Sequence, residues 1–185
     1  MKKGFTLIEL LIVIGILAIL TAAVVIVLNP AELLKQARDS QRLTDLDALK
    51  NAIVLYIADG QSITGLGNAT CYASQVGASD CATRAVSSSR TTIASSTSQS
   101  VTGSGWIPLN LSLVSSGSPL SSLPDDPVNS TTLYYSALFN TASSTFELDT
   151  VLESTKYQPK ALNTADGGNG GTNVYEIGTA PGLSL

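Results

Sequence analysis

Between Phe5 and Leu28 the chain reads FTLIELLIVIGILAILTAAVVIVL, and only Thr6, Glu9, Gly15 and Thr21 interrupt the apolar run. As a helix this stretch is about 36 Å long at ~1.5 Å per residue, longer than the roughly 30 Å hydrocarbon core of a bilayer. A segment apolar on every side has no face to offer water, so it must be surrounded by lipid or by other chains. The charges are distributed to match. Lys2 and Lys3 precede the run, residues 29–58 balance to zero, and residues 59–185 hold nine acidic against four basic side chains. The positive-inside rule then leaves the N-terminus in the cytoplasm and everything after Leu28 outside.

Composition narrows the chemistry. The chain has no histidine, which removes His-based triads, His metal ligands and His pH switching. A net charge of −4 and 5% aromatic residues argue against nucleic-acid binding, which needs a basic face or stacking platforms. No catalytic constellation is visible, so an enzyme is not expected. The overall apolar share of 44% averages a membrane-grade segment with a polar remainder.

The apolar run is too long for a secretory signal, whose core is about 7–15 residues before an Ala-x-Ala-like site. A plain signal anchor fits the length but leaves Glu9 unexplained, because a carboxylate in a spanning helix costs about 2.5–3.5 kcal/mol near the centre. Either Glu9 lies close enough to the interface to stay wet, or it needs a positive partner made available by proteolysis.

The stretch KKGFTLIELLIVIGILAIL resembles the N-terminal signal of the type IV pilin superfamily, which includes pilus subunits and type II secretion pseudopilins. The shared pattern is a basic leader ending in Gly4, then Phe5, then a long apolar helix with a glutamate at its fifth position, Glu9. The resemblance implies that a prepilin peptidase cuts between Gly4 and Phe5 and methylates the new amine. It also implies that the Phe5 ammonium pairs with Glu9 of an adjacent subunit in a helical homo-oligomeric filament. Gly4, lacking a Cβ, permits close approach by a protease backbone.

Pro30 follows Asn29, where two readings stand: a kink in one long helix over 5–58, or a second helix starting at Pro30 with Asn29 as its N-cap. Either makes Asn29–Pro30 a hinge, and in the superfamily such prolines let the segment stretch. Leu46, Leu49, Ile53 and Ile57 recur at 3- and 4-residue spacing, marking an amphipathic half that packs on a head. Glu32, Lys35, Arg38, Arg42 and Asp45 read as a solvated face or as inter-subunit salt bridges.

The head, residues 59–185, is read as α+β: the long helix packed on a small antiparallel sheet, the pilin ladle. Expected strands are Trp106–Val114 at an edge, a hairpin of Thr131–Phe139 with Thr145–Glu153, and Asn173–Ile177 last. Residues 83–104 hold 13 Ser or Thr among 22 and are expected as an exposed loop. Cys71 and Cys81 form a disulfide or remain two buried thiols. Leu123-Pro124-Asp125-Asp126-Pro127 resembles the stretch leading into the sheet of major pseudopilins and of some simple pilins, with prolines fixing a turn and aspartates solvating it. No cofactor is expected. Calcium is the one candidate, through Asp166, Asn169, Asp125 and Asp126, a set poor in carboxylates for a cation that takes six to eight oxygens.

The leading expectation is a structural subunit of a type IV pilus-like surface filament, serving adhesion, motility or uptake. The alternatives are a major pseudopilin of type II secretion, a minor or tip pilin binding a surface ligand, and an anchored exoprotein that never polymerises. Implied partners are the prepilin peptidase, an inner-membrane assembly platform, membrane lipid before assembly, and copies of the chain itself.

Overall fold

The structure, a computed structural model, describes residues 4–68, 70–78, 92–161 and 174–179. Two helices lead the chain, α1 over Leu7–Leu28 and α2 over Pro30–Ala58. The helical stretch over 5–58 is therefore divided at Asn29. Asn29 adopts the left-handed conformation, φ 41° and ψ 76°, and its side chain accepts the Glu32 N–H at 3.4 Å. Pro30 then occupies the first helical position, where its missing N–H has no partner to lose. Of the two readings of this proline, the fold adopts the helix start.

The rest is an α+β head. Five strands, β1 Thr70–Ala73, β2 Thr92–Ser95, β3 Ser136–Asn140, β4 Thr145–Val151 and β5 Val174–Gly178, form one sheet in the order β2-β1-β3-β4-β5. The expected all-antiparallel sheet is mixed, because β2 runs parallel to β1 with Ile93 beside Cys71. Residues 74–91 separate these strands, enough chain for the crossover a parallel pair needs. The β3–β4 hairpin forms with Phe139 opposite Phe146. Its turn falls where expected, with Asn140 accepting the Ala142 and Ser143 N–H groups, and its strands are shorter than expected at the ends away from the turn, at Ser136 and Val151.

Helix α2 lays Leu46, Leu49, Ala52, Ile53 and Tyr56 on one face of the sheet, against Tyr72, Ala137, Phe139, Phe146 and Leu148. The helical spacing read from the sequence is thus the core spacing. Two expectations fail nearby. Trp106–Val114 is not a strand: Leu111–Leu113 is a short 3-10 turn (η1) capped by Asn110. Trp106, Ile107, Leu109, Leu111 and Val114 are all buried, so the segment plugs the core rather than alternating across a sheet. Nor is the Ser/Thr-rich stretch wholly loop. Residues 92–95 form β2, and the carbonyls of Ser98, Gln99 and Val101 accept the N–H groups of Trp106, Leu123 and Leu111. Residues 83–91 lie outside the described residues. A short helix α3, Gln158–Ala161, follows β4.

Candidate processing and assembly site

Gly4, Phe5 and Thr6 precede α1 without helical structure, and Phe5 is 84% exposed. Thr6 is the N-cap of α1 and Glu9 its third helical residue, and together they form a capping box. The Thr6 N–H and hydroxyl donate to Glu9 Oε2 at 2.8 and 2.7 Å, while the Glu9 N–H donates to Thr6 Oγ1 at 3.3 Å. Helix starts leave N–H groups orphaned, and a capping box satisfies two of them reciprocally. Glu9 therefore has intrachain donors and lies at the positive end of the helix dipole, where a carboxylate is favoured. Thr6 escaped the reading of the sequence, although Thr-x-x-Glu before an apolar run is a local signal for this box.

A Cβ on Gly4 would meet nothing within 4 Å. Among the described residues, then, the fold places no steric demand for glycine there. Along α1, Leu7–Val25 is long and apolar enough to cross a membrane and is wholly unburied within the chain. The one hydroxyl in its second half, Thr21 Oγ1, donates to Leu17 O at 2.7 Å, so it is satisfied without water.

Comparison with known families picks out this end of the chain. Residues 1–25 match the prokaryotic N-terminal methylation motif. The chain thus carries the prepilin-type signal of type IV pilins and pseudopilins at its N-terminus. Searches of curated proteins and of solved structures matched none. The helix behind the signal is consistent with a membrane anchor.

Of the charged residues read as a solvated or inter-subunit face of α2, Glu32, Arg38, Arg42 and Asp45 have partners in the head of their own chain. Arg42 has no exposed side-chain surface. Its Nε and Nη2 donate to the two oxygens of Asp126 at 2.6 and 3.0 Å, a planar fork on a carboxylate. Its Nη1 donates to Asp39 and to Glu153, both at 2.7 Å. Arg38 adds two hydrogen bonds to Glu153, at 2.8 and 3.0 Å. Asp39 also accepts the Glu153 and Ser154 N–H groups and the Ser154 hydroxyl, and Asp126 accepts the Val128 and Asn129 N–H groups.

The electrostatics follow from these contacts. Burial opposes the Arg42 charge, but the bonds and charges of Asp126, then Glu153 and Asp39, outweigh it and raise its pKa. The Arg38 hydrogen bonds, against the cost of burial and with help from Arg42, hold Glu153 down to about 2. Asp126 is thus no solvated turn residue. It anchors the Pro124–Pro127 turn to α2.

The calcium candidates are not gathered by the described residues. Asp126 is taken by Arg42, Asp125 accepts from Gln99 Nε2 at 2.7 Å, and Asp166 and Asn169 lie outside the described residues. A different trio converges instead: Glu147 and Asp149 on β4 and Glu176 on β5, all buried, with carboxylate oxygens within 4.8 Å of one another. Carboxylates that close repel, so burying them calls for a balancing positive charge or a bound proton. Ser136 Oγ also donates to Asp149, at 3.3 Å. The reading of the sequence did not single out this trio: the alternation in Phe146-Glu147-Leu148-Asp149 marks a strand, but nothing local shows that its polar face is buried or that Glu176 lies beside it. On the same side of the sheet, Cys71 is fully buried among Ala73, Ala78, Tyr134 and Leu138. Its expected partner Cys81 lies outside the described residues.

Proposed function

We propose that the chain is a structural, non-enzymatic subunit of a type IV pilus-like filament, released for assembly by cleavage between Gly4 and Phe5. The observation that carries this reading is the pairing of a methylation motif with a helix whose apolar surface is exposed on all sides. Such a helix can exist in two environments: a bilayer before assembly and a bundle of neighbouring helices after it. In the waiting state the subunit is a single-pass protein of the inner membrane, with its N-terminus in the cytoplasm and its head outside. After assembly the head lies on the cell surface.

Cleavage removes Lys2 and Lys3 and places an ammonium at Phe5, four residues before Glu9. In the filament that ammonium pairs with Glu9 of a neighbouring copy, and the pair sets the axial register. A charge buried without its partner costs roughly 3–5 kcal/mol, so misaligned subunits are rejected. The reading requires no cofactor, and it involves the peptidase and an assembly platform as partners.

A second reading is a major pseudopilin of type II secretion, with which the Leu123–Pro127 stretch, a feature shared with some simple pilins, is compatible. Electron microscopy of sheared cell-surface material, with mass spectrometry of the subunit, tests both. Long surface filaments containing N-methylated Phe5 support the pilus, and filaments confined to the periplasm support the pseudopilus. Uncleaved chain in the membrane fraction with no filament anywhere would sink both.

A further inference from the structure

We propose that the rim of the head formed by Lys156, Tyr157 and Lys160 docks on anionic lipid headgroups while the subunit waits in the membrane. This rests on the reading of α1 as a membrane anchor. Four observations carry it.

Segment 154–161 is tied to the membrane-proximal end of α2. The Thr155 N–H and hydroxyl donate to Glu32 at 2.7 and 2.8 Å, and the Ser154 N–H donates to Asp39 at 2.7 Å. Glu32 stands seven residues beyond Val25, the end of the candidate span, which is about 10 Å of helix. That distance is near the Debye length at physiological salt, within which a charged membrane surface still acts.

Positive charge is at hand there. Lys156 and Lys160 are both exposed and are the only basic side chains among the described residues from 59 onward; the other two cations of the net-acidic head, Arg84 and Arg90, lie outside the described residues.

The chemistry of the rim suits a lipid interface. Lys156 Nζ sits 5.1 Å and Lys160 Nζ 5.7 Å from the centroid of the Tyr157 ring. A tyrosine ring with two ammonium groups near it offers an amphipathic ring at headgroup depth and two donors for phosphate. Finally, Leu33 and Leu34, on the same first turns of α2, are 49% and 62% exposed and extend the apolar surface of α1 towards the rim.

The test uses the full chain, reconstituted by detergent removal into vesicles of phosphatidylcholine alone or with about 30 mol% phosphatidylglycerol. Amide hydrogen exchange of segment 154–161 is followed by mass spectrometry. In the anionic vesicles at low salt, exchange slows by about fivefold or more, the scale of one lysine at such a surface. The slowing disappears at high salt and in the Lys156→Gln/Lys160→Gln double variant, and it survives Lys50→Gln, further along α2. Equal exchange in both lipids, with the chain floating alongside the vesicles, overturns the docking and leaves the anchor intact. Slowing that persists in the double variant removes the lysines from the role. Failure to float with either vesicle overturns the anchor reading and the docking together.

Discussion

Arg42 and Asp126 stand 84 positions apart in the chain, yet the Arg42 Nε lies 2.6 Å from Asp126 Oδ2, with neither side chain exposed. This contact joins the helix that leads from the membrane to the turn that opens the second half of the head. Asp39 and Glu153 complete the set, so α2, the Pro124–Pro127 turn and the chain after β4 meet on one guanidinium.

Asp126→Asn is expected to destabilise the head by roughly 3–5 kcal/mol, because it leaves Arg42 buried with one countercharge fewer. Arg42→Ala is expected to cost at least as much. The double variant should cost less than the sum by about 1–3 kcal/mol, the range for groups in one network. Thermal melting of the full chain in detergent, followed by near-ultraviolet circular dichroism of the buried Trp106, measures this. Strict additivity of the two losses would show that the contact has no energetic coupling.

Acid should loosen the same network. Glu153 has a folded pKa of about 2 against an ordinary 4.5. A depressed carboxylate stabilises the fold fully above its unfolded pKa and loses that contribution as pH falls through 4.5 towards 2. At 1.36 kcal/mol per unit the contribution is at most about 3 kcal/mol, and solvent at this part-exposed carboxylate lowers it. Asp45 and Asp125, whose pKa values burial raises, work in the opposite direction and gain on protonation. The decisive measurement is therefore a difference curve. The stability gap between wild type and Glu153→Gln should be largest above pH 5 and close as pH approaches 2. A gap constant over that window would contradict the assignment.

Much of this fold is written locally, and the parts that are not have a common cause. Leu46, Leu49 and Ile53 are legible because a period of 3.6 needs only neighbouring residues. The β3–β4 hairpin is legible because its two strands are separated by a short polar turn. Arg38 and Arg42 instead read as surface charges, since their partners at positions 126 and 153 are not encoded by anything in residues 38–45. Thr92–Ser95 hides as a strand because its pairing with β1 is non-local and its residues continue a Ser/Thr-rich run. Thr6 differs: its signal was local and complete, but Glu9 was weighed as a charge and not as half of a cap.

The cysteines offer a third test. We propose that Cys71, fully buried on β1, is bonded to Cys81, closing a short loop. Such a loop is worth about 2.5–3 kcal/mol in the chain-entropy model. Non-reducing mass spectrometry of the intact chain should give a mass lower by about 2 Da than after reduction, the two hydrogens lost in forming one such bond. Cys81→Ala alone should lower stability by the same amount as reduction does. An unchanged mass on reduction would leave two buried thiols.

The capping box bears on assembly itself. Thr6 holds Glu9 within its own chain through two donors, whereas the filament reading asks the same carboxylate to meet the Phe5 ammonium of a neighbour. A carboxylate accepts about four hydrogen bonds, so both roles fit one side chain, with Thr6 aiming it towards the end of the helix. Glu9→Leu should then leave membrane insertion intact, or improve it, while lowering the yield of sheared filaments by about tenfold or more, since an ammonium is left buried alone. Thr6→Ser should assemble normally. Thr6→Ala should lie between, losing about 1 kcal/mol of cap and the aim of the carboxylate but not its charge. Filament yield by shearing and immunoblot ranks the three. If Glu9→Leu subunits give normal yield and normal helical parameters, Glu9 has no part in setting the register.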